Sequence, residues 1–71
     1  MQKPPKIYEK DGQVLLTEPV IDYGKSENGG WTKEQLSALG VDWPPPKGWK
    51  QNLAGQTVPF ENLEAFYAAK S

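Results

Sequence analysis

The stretch that decides the fold is residues 30–50, which read GWTKEQLSALGVDWPPPKGWK. It contains all three tryptophans, a strongly signalled short helix and a run of three prolines. Thr32 followed three residues later by Gln35 is typical of a capping box, in which each side chain pairs with a backbone N–H of the other residue. Gly40 favours the left-handed position that follows a helix. We therefore predict a helix over residues 33–39.

A helix of about two turns is marginal in water unless packing holds it. The predicted packing partners are Trp31, Trp43 and Trp49. Trp43 precedes Pro44-Pro45-Pro46, a run that favours a stiff polyproline II conformation. A rigid strap with a tryptophan at each end could close a small core or bind a ligand, and the sequence leaves both interpretations open.

Composition sets limits on the chemistry. The chain has 71 residues, no cysteine and no histidine, with a net charge of −1 from eight basic and nine acidic residues. The missing residue types exclude disulfides, cysteine nucleophiles and the commonest metal ligands. The acidic residues form no catalytic or calcium-binding motif, so we expect no enzyme, no cofactor and no metal. Without a long apolar run or a signal peptide, a cytoplasmic protein with no membrane partner is expected.

The N-terminal part predicts a β-hairpin. Asp11-Gly12 lies between two segments with apolar residues, and this dipeptide favours a type I′ turn because both positions need a positive φ. The register then places Lys10 opposite Gln13 and Tyr8 opposite Leu15. We expect Pro19 to end the second strand, with residues 20–23 forming a third short strand or an extended strap.

The remaining segments complete an α+β prediction. Residues 49–55 are interpreted as a helical turn or a short strand. A second helix is predicted over residues 59–69, opened by residues 57–59, with Phe60, Leu63, Phe66 and Tyr67 on one apolar face that covers the hairpin. The expected organisation is one small domain: a flexible N-terminus (1–5), a β half (6–23), a loop (24–30) and a helical half (31–71).

Basic and aromatic residues alternate after the prolines. Lys47, Trp49, Lys50 and, more distantly, Lys33 are typical of a weak nucleic-acid-binding surface, because aromatic rings stack on bases and lysines contact phosphates. Residues 32–50 carry a charge of only +1, from three lysines against Glu34 and Asp42. So few phosphate contacts give little affinity.

A resemblance covers about half of the chain. The pattern Trp-Thr-x-x-Gln-Leu-x-x-Leu-Gly-Val over residues 31–41 resembles the first helix and turn of excisionase and MerR-like winged-helix proteins. Residues 55–66 are similar to the strand and closing helix after their wing. The resemblance implies DNA binding. Pro44-Pro45-Pro46 stands where those families place a recognition helix, and no helix runs through three prolines, so no base-contacting residue is carried over.

Residues 29–55 also resemble small uncharacterised proteins of phages and prophages, which implies a mobile-element origin and a host cytoplasm. On this basis we expect a non-catalytic interaction protein whose partner is a host or phage protein. The predicted partner-binding residues are Trp43, Lys47, Trp49 and Lys50, since tryptophan dominates binding hot spots. The alternative is a weak DNA- or RNA-binding module that uses Lys33, Lys47, Trp49 and Lys50.

Overall fold

A three-stranded antiparallel sheet and four short helices form the fold. The computed structural model describes residues 3–27 and 29–70. Residues 1–2 of the expected flexible N-terminus and Asn28 of the expected loop lie outside this description. The predicted α+β class is confirmed. In chain order the elements are β1 (Glu9–Lys10), β2 (Gln13–Leu15), α1 (Glu18–Tyr23), α2 (Lys33–Ala38), α3 (Trp49–Leu53), β3 (Thr57–Pro59) and α4 (Phe60–Ala68).

The hairpin forms in the predicted register. Asp11 and Gly12 have φ values of 54° and 80°, as a type I′ turn requires. Lys10 pairs with Gln13. The Leu15 N–H donates to the Tyr8 carbonyl at 2.9 Å, which extends the pairing beyond the two residues of β1.

Residues 20–23 are helical, so the prediction of a strand or extended strap there is wrong. The Thr17 side chain caps the N-terminus of α1 by accepting from the Val20 N–H at 3.3 Å. Pro19 lies in the first turn, where its missing N–H costs nothing, and therefore helps to start a helix rather than to end a strand. Glu18, also in the first turn, complements the helix dipole.

The third strand comes instead from the segment before the last helix. Val58 pairs with Val14 on the far side of β2. Hydrogen bonds of 2.8 Å from Leu16 N–H to the Gln56 carbonyl and from Phe60 N–H to the Gly12 carbonyl flank that pair. The expectation that residues 57–59 open the helix is wrong, because they form β3, whereas the helix predicted over residues 59–69 is present as α4, Phe60–Ala68.

Helix α2 carries the predicted end signals. Both capping-box hydrogen bonds are present, from Gln35 N–H to Thr32 Oγ1 (3.0 Å) and from Thr32 N–H to Gln35 Oε1 (2.9 Å). At the other end Gly40 has a φ of 78°, and Val41 N–H donates to the Leu36 carbonyl at 2.8 Å. This is a Schellman motif, which turns the chain sharply out of the helix.

The core lies between the sheet, α1, α2 and α4. Leu63 and Phe66 on α4 are buried as predicted, Tyr67 is partly buried, and Phe60 at the start of the stripe is 40% exposed. Residues 49–53 form the helical turn rather than the strand. In the described part of the chain, no helix is long and apolar enough to cross a lipid bilayer. The other buried apolar residues are Val14, Leu16, Val20, Ile21, Leu36, Leu39, Leu53 and Val58.

Candidate protein-binding surface

Two of the three tryptophans belong to the packed body of the protein. The Trp31 and Trp49 rings meet edge to face, with centroids 5.0 Å apart and an interplanar angle of 87°. Both rings are partly buried against the core. Trp31 Nε1 donates to the Ile21 carbonyl at 3.0 Å, near the C-terminus of α1, as a second donor beside Gly24 N–H at 3.1 Å. These contacts give Trp31 and Trp49 a structural role.

Two lysines lie close to the Trp31 ring. Lys25 Nζ is 5.5 Å and Lys50 Nζ is 5.7 Å from its centroid, within the range of a cation–π interaction. Lys50 Nζ also lies 3.0 Å from Asp22 Oδ1, in a partly exposed ion pair between α3 and α1. The charge of Lys50 is therefore compensated inside the molecule, which reduces its value for binding phosphate.

Trp43 is the exposed tryptophan. Its side chain is 49% exposed, and it lies in the loop of residues 42–47, which we call the tryptophan–proline loop. The peptide bond from Trp43 to Pro44 is cis. The half-exposed indole thus offers an apolar face and its N–H group to a partner.

Structured turns at both ends anchor the tryptophan–proline loop. Before it, the Schellman motif fixes Val41 against α2. After it, Trp49 N–H donates to the Pro46 carbonyl at 3.1 Å, and Gly48 takes a left-handed φ of 80° that starts α3. Proline restricts φ at three successive positions between these turns. A partner would therefore bind Trp43 at a small cost in loop ordering.

The predicted partner-binding residues divide into two sets. Trp43 and Lys47 are exposed in the tryptophan–proline loop, whereas Trp49 and Lys50 are partly buried and engaged with Trp31 and Asp22. Lys33, from the nucleic-acid alternative, is exposed in the first turn of α2. The contacts of Trp49 and Lys50 are tertiary, so the sequence alone did not reveal them.

A second exposed surface, which contains none of the predicted site residues, lies on the open face of the sheet beside the hairpin. A groove of about 680 Å³ lies there, with Tyr8 at 52% exposure and Ile7 at 38%. The register of the hairpin was the available signal, because it places Tyr8 beside Leu15 on the face opposite to Val14. The other lining residues are Glu9, Lys10, Asp11, Gln13 and Thr57.

The chain matches no protein-family model, no curated protein and no solved structure. Within residues 3–27 and 29–70, no three acidic side chains come together in a group that could hold a metal ion. The case for a function therefore depends on the surfaces themselves.

Proposed function

We propose that this chain is a non-catalytic interaction protein that binds another protein through the tryptophan–proline loop, with Trp43 as its anchor. One observation carries the proposal: Trp43 is half exposed, while Trp31 and Trp49 pack against the core. Tryptophan is enriched at the centres of protein interfaces because it buries a large apolar area and donates one hydrogen bond.

The chemistry of the loop indicates what the partner provides. An apolar pocket would cover the indole of Trp43, and a carbonyl or carboxylate within it would accept from Nε1. Lys47 is exposed in the same loop and would lie at the rim of such an interface, where a charge influences association rate more than affinity. The resemblance to phage proteins makes a host or phage protein the expected partner.

Nucleic-acid binding remains the alternative proposal. It depends on Lys33, Lys47, Trp49 and Lys50 acting together, and only the first and second of these are exposed. The ion pair between Lys50 and Asp22 favours the protein-binding proposal over this one. A Lys47→Glu, Lys50→Glu double variant should abolish any salt-sensitive binding of a fluorescent oligonucleotide if the alternative is right.

The proposal is tested by site-specific photo-cross-linking. A benzophenone amino acid at position 42, next to Trp43, is expected to capture a discrete protein from a bacterial lysate. The captured protein is then purified and titrated against the unmodified chain by calorimetry. Replacement of Trp43 by alanine is expected to weaken this binding by at least about 30-fold, which corresponds to the ~2 kcal/mol of a hot-spot residue.

A matched variant separates anchoring from general loss of apolar surface. Phe60 is another exposed aromatic residue, 40% exposed and outside the loop, so Phe60→Ala should bind the partner as the unmodified chain does. Equal affinities for the Trp43→Ala and unmodified proteins would contradict the proposal. Circular dichroism and urea unfolding of both variants exclude a loss of fold as the cause.

A further inference from the structure

Within residues 3–27 and 29–70, no backbone hydrogen bond reaches the outer edge of β1. In an antiparallel pair, the N–H and C=O of successive residues point alternately toward and away from the neighbouring strand. Gly12 and Leu16, two positions before and after Val14, bond to the segment that contains β3. By the same alternation, the backbone groups of Val14 also point toward β3. Glu9 lies opposite Val14, and the bond from Leu15 N–H to the Tyr8 carbonyl confirms the alternation. The backbone groups of Ile7 and Glu9 therefore point outward.

The other edge of the sheet is closed to a further strand. Pro59 in β3 has no N–H to donate, and α4 starts at the next residue. Proline is a common way to protect an edge strand from pairing. The two edges thus differ, and β1 is the edge that can accept a strand.

Side chains on β1 determine which strand fits. Residues two apart share a face of a strand, so Lys6, Tyr8 and Lys10 lie together on the open face. Lys6 Nζ is 5.3 Å from the centroid of the Tyr8 ring, which agrees with this placement. Tyr8 lies opposite Leu15 and is 52% exposed. The open face at this edge is an apolar centre with a positive charge on either side.

We infer that the edge of β1 is a docking site for an extended peptide segment of a partner protein. The segment would carry an apolar residue opposite Tyr8 and acidic residues two positions before and after it, opposite Lys10 and Lys6. The free groups of Ile7 and Glu9 would supply main-chain hydrogen bonds, as in β-strand addition, and charge complementarity would select the acidic residues.

Two other occupants fit less well. In a twofold antiparallel pair of β1 strands centred on Tyr8, Lys6 of one copy would lie directly opposite Lys10 of the other, and like charges placed in this way are destabilising. A nucleic acid would meet only two lysines on this face, and it would leave the free N–H and C=O groups of Ile7 and Glu9 largely unused. The acidic peptide satisfies the backbone and the charges together.

A synthetic peptide tests the inference. The probe is the acetylated, amidated heptapeptide Thr-Glu-Thr-Val-Thr-Glu-Thr, which in an antiparallel pair with β1 places valine opposite Tyr8 and the two acids opposite Lys10 and Lys6. It is titrated into the full-length, ¹⁵N-labelled protein, and binding is followed by NMR. Amide shifts are expected in residues 6–10 and at Leu15, together with slower hydrogen exchange at Ile7 and Glu9.

Charge reversal provides the first control. Lys6→Glu with Lys10→Glu should weaken binding about tenfold, and a peptide with lysine in place of both glutamates should restore it. Lys25→Glu with Lys70→Glu makes the same change in net charge at exposed sites after α1 and after α4, so that variant should bind as the unmodified protein does.

Methylation of the peptide backbone provides the second control. N-methyl groups on the two threonines beside valine remove the donors that would face β1, and this peptide should not bind. Methyl groups on the two glutamates point away from β1 and should be tolerated. The inference is overturned if both methylated peptides bind equally, if the lysine peptide binds the unmodified protein equally well, or if the shifts centre on Trp43. It is also overturned if only a twelve-residue oligothymidylate, or dilution of the protein itself, shifts residues 6–10.

Discussion

Gln35 is the residue whose replacement should most clearly reveal how this fold is held together. Its side chain is completely buried. Oε1 accepts from Thr32 N–H at the start of α2, while Nε2 donates to the carbonyls of Gly24 (2.6 Å) and Phe66 (3.2 Å). Gly24 ends α1, and Phe66 lies in the last turn of α4. One amide therefore satisfies backbone groups at the ends of three helices, which those helices cannot pair internally.

Replacement of Gln35 by methionine keeps the length of the side chain and removes all three hydrogen bonds. The two bonds to carbonyls are buried, and each contributes about 1 kcal/mol net, with a further desolvation cost for a carbonyl left unpaired. The bond to Thr32 is only part-buried and contributes less. We expect a loss of about 2–3 kcal/mol in the free energy of unfolding, out of roughly 4–10 kcal/mol for a domain of this length.

Replacement of Gln35 by glutamate adds a pH dependence. One carboxylate oxygen can still accept from Thr32, but the other faces two carbonyl oxygens, so the folded state favours the protonated acid. The pKa of this glutamate is then higher in the folded than in the unfolded chain. Its favourable contribution is fully present below the unfolded value of about 4.3 and is lost as the pH rises through the folded value. The variant should therefore be more destabilised at pH 7 than at pH 4.

Urea unfolding followed by tryptophan fluorescence measures both effects. Gln51 is exposed on α3, so Gln51→Met and Gln51→Glu are matched controls for each substitution. A loss below about 0.5 kcal/mol for Gln35→Met, within the range of ordinary surface changes, would refute the reasoning. So would a Gln35→Glu variant whose destabilisation, relative to Gln51→Glu, is the same at both pH values.

Two further predictions concern the packing around α1. A Cβ added at Gly24 would overlap the ring of Phe66, so Gly24→Ala should lower the free energy of unfolding by about 1–3 kcal/mol in urea titration. A Cβ added at Gly30 would meet no described residue within 4 Å apart from its chain neighbours, so Gly30→Ala should be nearly neutral, and equal effects of the two substitutions would contradict the clash. Burial, with a smaller contribution from Tyr23, raises the pKa of Tyr67 to about 12, so the stability that its protonated form contributes below pH ~10 is lost as the pH rises toward 12. Tyr67→Phe should lack both this loss and the latest step of the ultraviolet tyrosine titration. If the variant instead keeps that step and loses one near pH 10, Tyr67 ionises normally.

Local signals made part of the fold predictable. The Asp11-Gly12 turn needs only two positive φ values, and the capping box at Thr32 with Gly40 needs only contacts within one helix. Such features depend on a few neighbouring residues, so the sequence specifies them directly. The start of α1 was also encoded locally, because Thr17 and Pro19 have the spacing of a helix N-terminus. Val20 and Ile21 are β-branched and favour a strand, but the cap at Thr17 and the packing of α1 outweigh that preference.

Long-range pairing made the other part unpredictable. Residues 57–59 form a strand because Val58 pairs with Val14, which lies more than forty positions earlier in the chain. The capping role of Gln35 was predicted, but its bonds to Gly24 and Phe66 depend on how three helices meet. The same limit applies to the candidate site. Exposure separates Trp43 from Trp31 and Trp49, and exposure is a property of the packed molecule.

Because the helices are short, aromatic side chains with a hydrogen-bond donor lie against their ends. Helix α1 has six residues, so its last carbonyls cannot all find partners within it. The Tyr67 hydroxyl donates to the Val20 carbonyl at 2.9 Å, and Trp31 Nε1 donates to the Ile21 carbonyl. Each side chain buries an apolar ring and also donates a hydrogen bond to a carbonyl near the end of α1. This combination suits a core too small to cover its helix ends completely.

The three tryptophans differ in their contacts, and this difference is the physical basis of the binding hypothesis. Trp31 has its donor committed to α1, and Trp49 packs against Trp31, so changing either should lower stability whatever the protein binds. Trp43 differs from both, because about half of its surface is exposed to water. A large apolar side chain in that position lowers the free energy of the system when something covers it. A Trp43→Ala variant that keeps its stability and loses its partner would show that covering Trp43 is what this loop does.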